Sequence, residues 1–142
     1  MKIAIGSDHG GFALKTQLVD YLKNKNYEVS DEGTYSEESC DYPVFAKKAA
    51  RKAASGECDF GVLVCTSGIG MSIAANKVKG ARAALVRDAF DAEMSRRHND
   101  ANVICFGAKY ISFEKATECL DIFLTEKFDG GRHIKRVGMF DE

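Results

Sequence analysis

The chain has 142 residues, 45% apolar and 29% charged, with a formal net charge of −1. That is enough chain to bury a core in one domain, and the balanced charge excludes the basic field used to hold nucleic acid or an acidic membrane surface. No apolar run approaches the ~18 residues of a membrane span, and five cysteines without a Cys-x-x-Cys pair exclude a disulfide framework or structural zinc site of the usual spacing.

Met1-Lys2-Ile3-Ala4-Ile5-Gly6 enters a strand at once, without signal-peptide anatomy, so a reducing cytoplasm is the expected compartment. Ile3-Ala4-Ile5 is a short apolar run, as in a strand buried on both faces, and it leads into Gly6-Ser7-Asp8-His9-Gly10-Gly11. Leu14, Leu18, Tyr21 and Leu22 then recur at helical spacing until Lys23-Asn24-Lys25-Asn26 ends the pattern. Tyr27-Glu28-Val29-Ser30-Asp31 alternates, as an edge strand does.

After a Ser, Glu and Gly-rich loop, Asp41-Tyr42-Pro43 places the only proline where it can open a helix. Phe45, Ala49, Ala50 and Ala53 mark that helix's packed face, and Gly56 ends it. Phe60–Cys65 is a third strand, followed by a helix near 69–78. Arg82–Val86 is a fourth strand, with a helix from about Asp88 to Arg97 after it. Val103–Gly107 is a fifth, and Ser112 caps a helix carrying Ala116, Cys119, Leu120, Phe123 and Leu124 on one stripe. Gly130-Gly131 breaks the chain before the basic tail Arg132-His133-Ile134-Lys135-Arg136. No repeat or linker interrupts residues 1–142, which read as one domain.

Strands alternating with helices imply a parallel sheet with right-handed crossovers and helices on both faces. The expected architecture is α/β, a Rossmann-like three-layer sandwich on a five-stranded parallel sheet of order 2-1-3-4-5. That order puts a ligand crevice between strands 1 and 3 at their carboxyl ends. Asp8-His9 and Cys65-Thr66-Ser67 meet there, so topology brings a carboxylate, an imidazole and a thiol together.

Val62 to Lys77 carries the densest signal: a buried strand, a glycine-hinged turn, then a helix. Gly68-Ile69-Gly70 is neither a Walker loop nor a full dinucleotide fingerprint, since no Gly-Lys-Ser/Thr follows and Ile73 stands at the third glycine position. By itself it is a tight strand–helix turn. With the hydroxyls of Thr66 and Ser67 and a helix N-terminus beside it, the same turn can bind a phosphate or stabilise an oxyanion. Cys65 ends its strand at that N-terminus, a setting that acidifies thiols, whereas Cys105 and Cys119 read as core. A thiolate there serves as nucleophile or as general base, and the residues alone leave both open. Asp8 and His9 read either as a helix cap or as site residues. His98 and Asn99 follow the fourth helix at the amino-terminal edge of the sheet, with Arg132 and Arg136 on that side too. If they are catalytic, they reach the crevice of a second copy, so a homodimer with shared sites is expected.

These motifs resemble the B-type ribose-5-phosphate isomerases of the sugar-phosphate isomerase family that also includes the galactose-6-phosphate isomerase subunits. The likeness runs through Gly6–Gly11, Asp41-Tyr42-Pro43, Cys65–Lys77, Ser95–Asn102, Gly130–His133 and Arg136-Val137. It implies a dimer or dimer of dimers, no metal or organic cofactor, and interconversion of ribose 5-phosphate and ribulose 5-phosphate through an enediolate. It assigns Cys65 as the base between C1 and C2, and the turn Ser67-Gly68-Ile69-Gly70 as the anion hole. It gives His98 and Asp8 ring opening, with Ser67 assisting. His9, Arg132 and Arg136 match phosphate ligands, and Tyr42 and Asn99 line the sugar. The physical chemistry agrees: proton abstraction beside a carbonyl needs a stabilised oxyanion, and one lost donor costs about 3 kcal/mol.

Three positions depart from the family pattern. Thr66 stands where many members have glycine, Ser67 where threonine is common, and Lys109 where a phosphate-side arginine is frequent, which removes a bidentate contact. Allose 6-phosphate or galactose 6-phosphate isomerisation is the alternative activity, and a silent phosphate-binding module is the alternative of another class. Cys65, His98 and the paired arginines on one chain favour a self-sufficient homodimer.

Overall fold

The computed structural model describes residues 1–142. The strands are β1 (Lys2–Ser7), β2 (Glu28–Asp31), β3 (Phe60–Cys65), β4 (Ala83–Leu85) and β5 (Val103–Gly107). The helices are α1 (Phe12–Asn24), α2 (Tyr42–Ser55), α3 (Ile69–Asn76), α4 (Ala89–Arg97), α5 (Phe113–Thr125) and α6 (Arg132–Val137), with a 3-10 turn at His9–Gly11. None is long and apolar enough to cross a membrane. Local chemistry sets the ends: Pro43 sits in the first turn of α2, Gly56 closes it at φ +79°, and the side chains of Asp88 and Ser112 cap α4 and α5. The short helix α6 was not anticipated; its residues lack an apolar stripe and none is buried.

All strand pairs are parallel, and the order is β2-β1-β3-β5-β4. The expected order 2-1-3-4-5 is thus corrected at its far edge, where β5 and not β4 lies beside β3. The reason is burial. β5 is apolar and buried at all five residues, which suits a place between two neighbours, whereas β4 has three half-buried residues and serves as the edge. The crevice between β1 and β3 is unaffected, because β2 still flanks β1 on the opposite side.

The two faces of the sheet are packed differently. On one, Ile3, Ile5, Val62, Val64, Ile104 and Phe106 meet Leu14, Leu18 and Leu22 of α1 and Leu120 and Phe123 of α5. On the other, Ala4, Leu63, Cys65 and Cys105 meet Ala46, Ala49, Ala50 and Ala53 of α2 and Met71, Ala74 and Ala75 of α3. Bulky side chains supply most of the hydrophobic stabilisation on the first face, at about 1.5–3 kcal/mol each when fully buried. The alanines of the second bring α2 and α3 close to the strand ends that carry Cys65.

One buried cation ties down the long β2–α2 loop. Lys15, 1% exposed, donates through Nζ to both carboxylate oxygens of Asp31 (2.8 and 2.9 Å) and to the Thr34 carbonyl (2.6 Å). Asp31 in turn accepts the Gly33 N–H at 2.9 Å. A buried ammonium needs such complete pairing. The loop it anchors delivers Tyr42 to the crevice.

Candidate active site

The crevice is built from three chain segments leaving the sheet at its carboxyl end. Asp8, just beyond β1, is 7% exposed, and its Oδ1 accepts the Gly11 N–H at 3.0 Å, so it caps the 3-10 turn while lining the cavity. Cys65 ends β3 at 5% exposure, and its Sγ accepts the Gly68 N–H at 3.1 Å. Ser67 Oγ accepts the Ile69 N–H at 3.2 Å. Together with Tyr42, Thr66, Ile69, Gly70 and Ile73 these residues line a cavity of about 440 Å³. The first turn of α3 contributes Ile69 and Gly70 to this lining, and helix geometry leaves its first N–H groups without intrahelical acceptors, the Ile69 N–H being met by Ser67 Oγ.

The turn is held from β5. Ala108 N–H donates to the Cys65 carbonyl at 2.9 Å, and Lys109 N–H to the Thr66 carbonyl at 3.1 Å. Gly68 has φ +78°, and a Cβ there would lie 2.5 Å from Leu85 Cδ1 and 2.9 Å from the Phe106 carbonyl carbon. Only glycine meets both demands. A Cβ on Gly107 would collide with the Ser67 carbonyl, so the turn rests directly on the end of β5. The Tyr42 ring packs on Gly70, where a Cβ would come within 2.8 Å of it. Thr66 fills space toward the first turn, since a Cβ on Gly10 would strike its hydroxyl.

The remaining site candidates lie elsewhere on the chain. His98 caps the C-terminus of α4, at the amino end of the sheet, and stacks on His133 with ring centroids 4.3 Å apart and planes 13° from parallel. Arg132 and Arg136 flank His133 on α6, both exposed. Partial desolvation, and then the charges of His98, Arg132 and Arg136, hold His133 below the ordinary imidazole range, while Asp129 pulls the other way. Asn99 lines a separate cavity of about 380 Å³ with Asn76, Arg82 and Phe140. The chain therefore carries two candidate half-sites: a crevice with the thiol, and a basic cluster with two stacked imidazoles.

His9 and Lys109 sit beside the crevice without lining it. His9 is exposed and accepts the Cys40 N–H through Nδ1 at 3.3 Å. Lys109 is exposed and directs its ammonium over the Tyr110 ring. Gly68 acts through its N–H on the thiol rather than as cavity wall. Cys105 and Cys119 are fully buried core thiols, and burial pushes Cys119 up to about 11 and raises Cys105 as well.

Comparison with known proteins decides the family. A family model described as Ribose/Galactose Isomerase matches residues 3–140. The chain is 46% identical over 136 residues to the ribose-5-phosphate isomerase B of Escherichia coli, covering 96% of this chain and 91% of that protein. The structure of Clostridium thermocellum ribose-5-phosphate isomerase B superposes with a TM-score of 0.96 at 51% identity, over 97% of this chain and 93% of that one. That of the Mycoplasma genitalium enzyme with bound ribulose 5-phosphate gives 0.92 at 40% identity, over 96% and 91%. The chain belongs to the ribose/galactose isomerase family.

In this member of the family, sequence reasoning missed several residues at or near the two half-sites. Ile73 lines the crevice one helical turn after Ile69, a spacing that could have been read from the start of α3. Cys40 approaches His9, with Sγ 3.9 Å from Nδ1, across a loop whose path has no sequence signature. Arg97 and Asp129 join the His98 cluster through an ion pair between segments far apart in the chain.

Proposed function

We propose that this family member interconverts ribose 5-phosphate and ribulose 5-phosphate by proton transfer between C1 and C2. The observation that carries the reading is the meeting of Cys65 with the first turn of α3 in one crevice, beside Asp8 and Ser67. A base and a bank of N–H donors are what an enediolate requires: the base takes the C2 proton, charge develops on the carbonyl oxygen, and the donors stabilise it. Reprotonation at C1, with the hydroxyl proton of O2 passing to O1, completes the exchange with proton transfers alone. Cys65 is assigned as that base, since a nucleophile would add a covalent bond that aldose–ketose isomerisation does not use.

The crevice is completed by a second copy of the chain. His98, Asn99, Arg132 and Arg136 occupy the opposite end of the sheet from Cys65, too far around the fold to serve their own crevice. Exposed Ile69, Ile73 and Tyr42 rim the crevice, and burying them against another copy would exclude water from it. In that homodimer His98 opens the furanose ring together with Asp8, the two arginines and His9 hold the phosphate, and Tyr42, Thr66 and Asn99 line the sugar. The segment from about 130 makes the partner contact. Phosphate binding remote from C1 and C2 orients the reacting carbons.

The testing experiment is an isomerase assay on purified protein with ribose 5-phosphate, allose 6-phosphate and galactose 6-phosphate in parallel. The expected result is highest kcat/KM for ribose 5-phosphate. Preference for a hexose phosphate reassigns the substrate, and no turnover of any of the three defeats the enzymatic reading.

A further inference from the structure

The basic cluster contains a carboxylate that the reading above does not use. Asp129 lies in the connection between α5 and α6, immediately before Gly130-Gly131. Its N–H donates to the Arg97 carbonyl at 2.9 Å, which stitches this connection to the last turn of α4. Its carboxylate then divides its two oxygens. Oδ1 accepts from Arg97 Nε at 3.1 Å, and Oδ2 faces His98 Nε2 at 3.8 Å. Arg97 is itself steadied by Glu93, one turn earlier on α4, at 2.9 Å. The guanidinium keeps Asp129 ionised by holding its carboxyl below the usual carboxylate range.

The surroundings explain why an anion is needed at that point. The charged groups around the stacked His98 and His133 rings are Arg132 and Arg136 on α6 and Asp129, with Arg97 and its partner Glu93 on α4 joined to them through Asp129. Arg132 and Arg136 oppose a proton on His133, and Asp129 is the carboxylate within ion-pair reach of His98. The cluster of His98, Asp129 and His133 could be taken for a metal site. Near-parallel rings cannot both aim an in-plane lone pair at one ion, and the arginines repel a dication. A proton suits the geometry better than a metal.

We propose that Asp129 is a positioning residue, the carboxylate that fixes the His98 imidazole and balances its charge during sugar ring opening. This rests on the assignment of His98 to that step. In ring opening the C1–O bond of the hemiacetal breaks, the ring oxygen takes a proton from His98, a base takes the anomeric hydroxyl proton, and C1 becomes the aldehyde carbon. A protonated imidazole among three guanidinium groups needs a fixed counter-charge, as an oriented His–carboxylate pair provides.

The test uses the intact protein with Asp129→Asn and Asp129→Glu, read by NMR of the imidazole ring protons and by two assays. In Asp129→Asn the titrations of the stacked pair move to lower pH by about half a unit or more. Asp129→Glu brings them back. Conversion of ribose 5-phosphate falls about tenfold or more in Asp129→Asn. Exchange of the C1 proton of ribulose 5-phosphate with solvent, which involves only the open-chain sugar, changes less than about twofold. Unmoved titrations, or equal losses in the two assays, overturn the proposal. If the parent protein acts on neither sugar, it is the assigned reaction that fails, while the titrations still decide whether Asp129 balances His98.

Discussion

The crevice and the basic cluster are opposite kinds of half-site. Around Cys65 the thiol, Asp8 and Gly68 are buried, and the turn is fixed by backbone: Gly68 N–H on the thiol, the end of β5 beneath Ser67, Tyr42 against Gly70. Around His98 the groups are half-exposed or exposed side chains on α4, α6 and a glycine-broken connection, held by ion pairs. The difference teaches where each chemical demand is met. Stabilising an enediolate needs dipoles that do not reorganise. Capturing a phosphate and opening a ring, the roles proposed for the basic cluster, call for long charged side chains that can adjust to a ligand.

The largest expected effect lies on the rigid side. Cys65→Ala should lower kcat by about a thousandfold while ribose 5-phosphate binding, measured by calorimetry, weakens only slightly. Turnover near the parent value would remove the thiol from the mechanism. The next test joins the halves. Mixing Cys65→Ala with His98→Ala protein should restore about a quarter of parent activity, since random pairing makes half the dimers mixed and each mixed dimer has one intact crevice. No recovery under verified subunit exchange would show that the halves do not meet across copies.

A smaller effect should appear on the adjustable side alone. Arg136→Ala should raise KM about tenfold with kcat nearly kept, as loss of a charge-assisted phosphate contact does. A fall in kcat with unchanged KM would instead place Arg136 at the reacting carbons. The smallest change tests the support of the thiol turn. Gly107→Ala should cost about 1–3 kcal/mol of stability in a denaturant melt, because its methyl would push on the Ser67 carbonyl. A melt identical to the parent would mean that the turn yields freely and is not braced by β5.

The rigid half-site was largely legible in the sequence. Cys65, Ser67 and Asp8 end strands or open turns, and the rule for ligand crevices in parallel sheets brings them together without knowledge of packing. What eluded the sequence was non-local. The exchange of β4 and β5 in the sheet depends on which strand buries more completely, and both read as apolar runs of similar length. The Asp129–Arg97 pair depends on how the connection after α5 folds back, and α6 is a short helix with no periodic apolar face. Hydrophobic periodicity speaks for cores and is silent about exposed ionic contacts.

The bracing of the thiol turn by β5 also orders events at the ribosome. Cys65 emerges early, but Gly107, Ala108 and Lys109, which seat and bond its turn, are made only after β4 and α4 have left the tunnel. Throughout that interval β3 has only β1 beside it in the sheet, and the turn after Cys65 lacks the backbone partners that hold it in the finished fold.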